Sequence, residues 1–137
     1  MTRREIIQNF IPQSPLVRHL GIELRSLERD RAELLLPYRP ELATIGDVVH
    51  GGAIATLIDT TGTAAAWADD TDVPESATGS TVSMTVQYIE AARGGDLLAS
   101  SVVVRRGRTL CFCEVTVTEP PANRAVAKGL LVYRFAS

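Results

Sequence analysis

The sequence predicts an α+β domain in which one long helix is cradled by a curved antiparallel sheet. Three observations carry this. Only one segment, from Gly51 to about Ala68, sustains a helical period over several turns, with Ile54, Leu57, Ile58, Thr61, Ala65 and Ala68 on one face. Beyond it, up to Phe135, the chain reads as strands, with the two-residue alternation clearest from Thr81 to Tyr88 and with Gly- and Pro-containing turns between them. Helix and strands are therefore segregated along the chain, and a lone apolar helix face needs a sheet to cover it.

The elements follow in order. Residues 3–20 are expected to form one or two short helices: Ile6, Ile7 and Phe10 make an apolar stripe, and Ser14-Pro15 is a helix start followed by Leu16, Val17 and Leu20. Gly21 ends that segment, and His19 falls in its last turn, a place where histidines face solvent. Ile22 to Tyr38 reads as two strands about the charged turn Glu28-Arg29-Asp30, and residues 39–49 read as a loop punctuated by Pro40 and Gly46. The long helix comes next. A second side of it carries Ala55, Asp59, Gly62 and Ala66, residues small enough to let something approach closely. Asp69 to Glu75 reads as a solvated loop. Then Val82, Met84, Val86 and Tyr88 alternate with Thr81, Ser83, Thr85 and Gln87. Gly94-Gly95, Arg106-Gly107-Arg108 and Pro120-Pro121-Ala122-Asn123 are turns around strands at Leu97 to Arg105, Thr109 to Thr118 and Ala125 to Phe135. Three or four consecutive antiparallel strands predict a meander.

Composition bounds the function. A length of 137 residues fits a single domain, 1–137, with 1–20 as its helical N-terminal segment. A net charge of −2 excludes the clearly basic balance of a nucleic-acid binder. Cys111 and Cys113 sit two apart on one strand face, where disulfide geometry is rare, so two buried thiols are expected. With His19 and His50 as the only histidines and no Cys-x-x-Cys spacing, no metal site is expected. No run approaches the ~20 apolar residues of a membrane span, and no apolar stretch follows Arg3-Arg4 as in a signal peptide, so a cytoplasmic protein is expected.

The chemistry concentrates between His50 and Asp59. Gly51 and Gly52 open the helix, where N–H groups without intrahelical partners and the helix dipole suit a phosphate or a developing oxyanion; close packing alone would also explain them. Asp59 is a mid-helix carboxylate among alanines and glycine, so it either reaches solvent on an ordinary surface or sits in a pocket with a task. His50 either caps and orients the helix start or acts as a general acid.

The string His-Gly-Gly, then six residues, then Asp59, in a helix of small residues, resembles the signature of hot-dog-fold acyl-coenzyme A thioesterases of the phenylacetate-degradation type. Thr81 to Tyr88 resembles that family's strand ending in an aromatic, and Arg106-Gly107-Arg108-Thr109-Leu110 resembles its tight basic turn; the likeness runs from about Leu20 onward. The resemblance implies hydrolysis of an acyl-coenzyme A thioester, with Asp59 as nucleophile or general base. Gly51 would donate its N–H to the thioester carbonyl, His50 would shape the loop, and Thr81 would help to place the attacking water. It also implies a helix wrapped by five or six strands, and two subunits joined in one continuous sheet. Gly52 belongs to the same phosphate- and carbonyl-binding helix start, and Thr63, one turn past Asp59, hydrogen-bonds the carboxylate or fills space. No cofactor is implied beyond the coenzyme A of the substrate.

Geometry supports the dimer separately. Gly51 and Asp59 lie eight residues apart, roughly 12 Å along a helix, so one helix cannot bring both to one thioester, and the active site must span a subunit interface if both act. Pairing of dimers into a tetramer is the further expectation. The chain departs from the family in the loop before His50, where an Asn or Gln is usual: Leu42 to Val49 holds no amide side chain, leaving Thr44 or Asp47 to substitute. Arg106 and Arg108 are the candidates for coenzyme A phosphates, against the plainer reading of a charged hairpin end. Ile7, Phe10, Val17 and Tyr38 are candidate walls for the acyl group. A hot-dog dehydratase or hydratase is disfavoured by the absence of both His-Phe-x-Gly and the helix glutamate that follows it, whereas a non-catalytic acyl-ligand-binding domain is the alternative favoured by the missing amide.

Overall fold

The computed structural model describes residues 1–136. Two short helices open the chain, α1 (Arg3–Phe10) and α2 (Pro15–Leu20). Thr2 and Glu5 form a reciprocal capping box at the start of α1, and Gly21, at φ 76°, ends α2 in the left-handed conformation that glycine adopts without strain. The strands β1 (Glu23–Glu28) and β2 (Arg31–Leu36) form a hairpin. Residues 39–49 are more ordered than the sequence predicts. After a short helical turn, Ala43–Ile45 and Val48–Val49 pair as a small hairpin, β3 and β4, whose Gly46 takes a positive φ. The long helix α3 runs Gly51–Ala66, and β5 (Gly79–Tyr88), β6 (Leu97–Arg106), β7 (Leu110–Glu119) and β8 (Arg124–Phe135) complete the chain.

The six long strands form one antiparallel sheet in the order β1-β2-β6-β7-β8-β5. Only β6, β7 and β8 make the expected meander. β5 pairs with β8 instead of its successor β6, which places it at the far edge. The sheet curves around α3, so the hot-dog architecture expected from the sequence is the one adopted. Ile54, Leu57, Ile58, Thr61 and Ala65 are all buried against the inward residues of the sheet, among them Leu34, Leu97, Val115 and Leu131. The small second side of α3 serves this packing too. A Cβ at Gly62 would lie 3.1 Å from Leu131, and one at Gly129 of β8 would lie 2.5 Å from Ile58, so glycines on both surfaces let helix and sheet close together.

Two bulges redirect side chains. Between Thr81 and Ser83 the register of β5 shifts, so Thr81 opposes Tyr133 on the inner face while Val82 stays 52% exposed. The even alternation read from the sequence breaks at this point. Between Val103 and Arg105 a second shift leaves Arg106 opposite buried Cys111, on the concave side. Cys111 and Cys113 are free, buried thiols with their sulfurs 3.9 Å apart.

Asp69 is the other departure. The expected solvated loop begins with a carboxylate only 4% exposed. It lies 3.0 Å from Arg3 and 3.1 Å from Arg106, and it accepts the Thr71 N–H at 2.9 Å. Burial pushes the Asp69 carboxyl up, but the Thr71 hydrogen bonds and the two guanidiniums more than offset this and hold it below the ordinary carboxylate value.

Candidate active site

Asp59 projects from α3 between the sheet edge and the N-terminal helices and is half-buried. The Thr81 hydroxyl donates to its Oδ1 at 2.7 Å, across from β5. The β5 bulge makes this contact possible, because without the extra residue Thr81 would point to the opposite face of the sheet. Asp59 and Thr63 line a cavity of about 230 Å³ whose remaining wall is largely Ile7, Phe10, Ile11, Leu16 and Val17. Three of the four expected acyl walls are therefore at the site. Tyr38 is elsewhere, at the end of β2, where its N–H donates to Asp96. Burial pushes the Tyr133 phenol above its ordinary value, and the nearby Asp59 carboxylate acts in the same direction.

The Thr63 hydroxyl makes no hydrogen bond among the described residues, whereas those of Thr56, Thr60 and Thr61 each donate to the carbonyl four residues earlier. It is not bonded to Asp59. Its hydroxyl is the one threonine hydroxyl of α3 not spent on the helix.

The start of α3 is built around one unspent donor. His50 is the N-cap, and its Nδ1 accepts the Gly52 N–H at 2.7 Å, which fixes the ring as a helix cap with its remaining proton on Nε2. The His50 carbonyl accepts the N–H groups of Ala53 and Ile54. Of the first four helix donors, only the Gly51 N–H has no partner among the described residues. The Tyr88 hydroxyl donates to the Gly51 carbonyl at 2.7 Å, so the Gly51–Gly52 peptide is held at its oxygen by Tyr88 and at its nitrogen by His50. The strand pattern marks Tyr88 only as a strand-ending aromatic; a tyrosine rather than a phenylalanine at that exposed end is the signal for a hydroxyl with a partner.

A second cavity, about 320 Å³, lies against Gly51 and is lined by Thr44, Val48, Tyr88 and Ile89 among others. This separates the two candidates for the missing amide. Thr44 shares the cavity with Gly51, whereas the Asp47 carboxylate lies on the side of Arg93, 3.8 Å from its guanidinium.

Arg106 makes contacts within the chain that the sequence does not predict. Turned inward by the β6 bulge, its guanidinium donates to Asp30 at 2.8 Å and to the Ala66 carbonyl at 2.8 Å, and pairs with Asp69. Its charge sits at the C-terminal end of α3, where it complements the helix dipole. Arg108 is exposed at the hairpin tip. Among the described residues no three His, Cys, Asp or Glu side chains come together as a metal site, and no helix is long and apolar enough to cross a membrane.

Comparison with known proteins identifies the setting of this geometry. The profile of the thioesterase superfamily matches residues 46–124, a span that contains His50, Gly51, Asp59 and Thr81. A protein of Halobacterium salinarum is 34% identical over 134 residues, covering 90% of this chain and 87% of its own. Acyl-coenzyme A thioesterase 13 of Homo sapiens is 28% identical over 128 residues, covering 92% of this chain and 89% of its own. The crystal structure of a thioesterase family protein from Silicibacter pomeroyi superposes with a TM-score of 0.87 at 24% identity, covering 97% of both chains.

Proposed function

The chain belongs to the thioesterase superfamily, and on that premise we propose that it hydrolyses an acyl-coenzyme A thioester to the free acid and coenzyme A at a site shared by two copies of the chain. Thioester hydrolysis is the chemistry of the superfamily; the coenzyme A substrate is supported by the relative acyl-coenzyme A thioesterase 13. The observation that carries the residue-level reading is Asp59, a carboxylate on the wall of an apolar cavity with one oxygen held by Thr81 at 2.7 Å.

In this reading water adds to the thioester carbonyl carbon as Asp59 takes its proton. The carbonyl π electrons move onto oxygen, where a free Gly51 N–H donates a hydrogen bond. Collapse re-forms the carbonyl and breaks the C–S bond, and the departing thiolate takes the proton from Asp59. Direct attack by an Asp59 oxygen, through a mixed anhydride that water then opens, gives the same products. A single turnover in heavy-oxygen water separates the routes, because only the anhydride route can leave label in Asp59.

The roughly 12 Å between Gly51 and Asp59 along one helix requires the donor to come from a second copy. The two sheet edges differ in a way that supports this. β1 is six residues long and carries Glu23, Arg25 and Glu28, whereas β5 is ten residues long, with Val82, Met84 and Tyr88 exposed. A long apolar free edge invites strand pairing, and β5 against β5 of a second copy would extend the sheet. Arg108, rather than Arg106, is the hairpin arginine free to meet a coenzyme A phosphate.

Free-thiol release from a panel of acyl-coenzyme A thioesters tests the proposal. Asp59→Asn is expected to lower the best kcat/KM at least about a hundredfold while the thermal midpoint stays near that of the parent. If the parent cleaves no thioester, or Asn is tolerated, the catalytic assignment fails, and retention of intact acyl-coenzyme A would then favour an acyl-ligand-binding domain.

A further inference from the structure

The apolar cavity beside Asp59 has a neighbour further along α3. This third cavity, of about 180 Å³, reaches from Thr63 to Trp67 and is lined by Ala77 and Gly79 of the β5 approach and by Tyr133 of the sheet. The two cavities share three lining residues, Ile7, Phe10 and Thr63. Ile7 is 4% exposed and belongs to the core, and Thr63 is fixed on the helix. Phe10 is different. It is the last residue of α1, 60% exposed, with the largest side chain of the three.

We propose that Phe10 divides one acyl channel along α3 into a front and a rear chamber, and so limits the acyl group that this site accepts to about six carbons. The inference rests on the reading of Asp59 as the catalytic carboxylate. Its length scale follows from the helix. Asp59 to Thr63 spans four residues, roughly 6 Å, and Asp59 to Trp67 spans eight, roughly 12 Å. An extended hydrocarbon advances about 1.25 Å per bond, from 1.52 Å bonds at angles near 111°. The front chamber thus takes about five bonds beyond the thioester carbonyl, and the rear chamber about as many again. The rear chamber is walled by Trp67, Tyr133 and Ile6, so what passes Phe10 must be hydrocarbon. Gly79 lets the Tyr133 ring close the sheet side of this chamber, since a Cβ there would approach that ring to 2.5 Å.

The test is a chain-length profile of kcat/KM for straight acyl-coenzyme A thioesters from four to twelve carbons, measured on the full chain and on Phe10→Ala. The parent is expected to fall off beyond about six carbons. Phe10→Ala is expected to move the optimum out by about four carbons and to raise the ten-to-four-carbon ratio on the order of a hundredfold, since each newly buried methylene is worth about fourfold. Adding Ala77→Leu to Phe10→Ala narrows the rear chamber and should bring the optimum back. Because Phe10 is largely exposed, the single variant should melt close to the parent. A parent that prefers ten carbons or more, or a profile that Phe10→Ala leaves in place, overturns the partition while leaving hydrolysis intact. A parent that cleaves no thioester of any length overturns both.

Discussion

Replacing Arg106 by Met separates structure from ligand binding at the β6–β7 hairpin. The substitution keeps most of the aliphatic stem but removes the guanidinium from Asp30, from the Ala66 carbonyl and from Asp69, whose side chain is 6% exposed. Breaking a buried pair from one side costs roughly 3–5 kcal/mol, because the remaining charge stays desolvated. Arg3 also pairs with Asp69, and the Arg106 side chain is 23% exposed, so the lower end, about 3 kcal/mol, is expected. For 137 residues the unfolding entropy is about 0.3 kcal/mol per kelvin, which converts this loss to a fall of roughly 10 °C in the thermal midpoint. Arg108→Ala, at the exposed tip of the same hairpin, should cost no more than about 0.5 kcal/mol, or under 2 °C. Thermal melts followed by far-ultraviolet circular dichroism read both variants. Equal midpoints for the two would refute the inward role of Arg106. So would an Arg106→Met enzyme of parental stability whose only defect is a raised KM for coenzyme A thioesters.

Two further outcomes follow from the site and its support. Tyr88→Phe removes the hydroxyl that holds the Gly51 carbonyl, and it should lower kcat about three- to tenfold with KM nearly constant, the range of one neutral hydrogen bond; unchanged kcat would mean that the Gly51–Gly52 peptide holds its place without Tyr88. The Asp69 carboxyl is held below its ordinary value of 3.8 in the folded state, so it stabilises the fold above that value, and this contribution is lost as pH falls through the lower folded value. Asp69→Asn should therefore be less stable than the parent at pH 7, with a difference in urea midpoint that shrinks as the pH is taken below 4. A difference that grows on acidification would reverse the sign of the argument.

Much of the molecule is legible in the sequence because it depends on near neighbours in the chain. The period of Ile54, Leu57, Ile58 and Thr61 needs only the 3.6-residue turn, and Gly21 ends α2 because a left-handed residue is needed there. His50, Gly51 and Asp59 lie within one helix and its cap, so their spacing survives folding unchanged, and the proposal of a site shared by two copies follows from helix rise alone. Tertiary structure decided what depends on register and strand order. A bulge adds one residue and exchanges the two faces of a strand, so the alternation that put Val82 with Met84 could not show that Thr81 reaches Asp59, nor that Arg106 turns in toward α3. Nor could local pattern show Asp69 buried between two arginines that lie 66 and 37 positions away, or β5 beside β8 at a free edge. These are contacts between segments distant in sequence, set by how the sheet closes around α3, and nothing within a window of neighbouring residues encodes them.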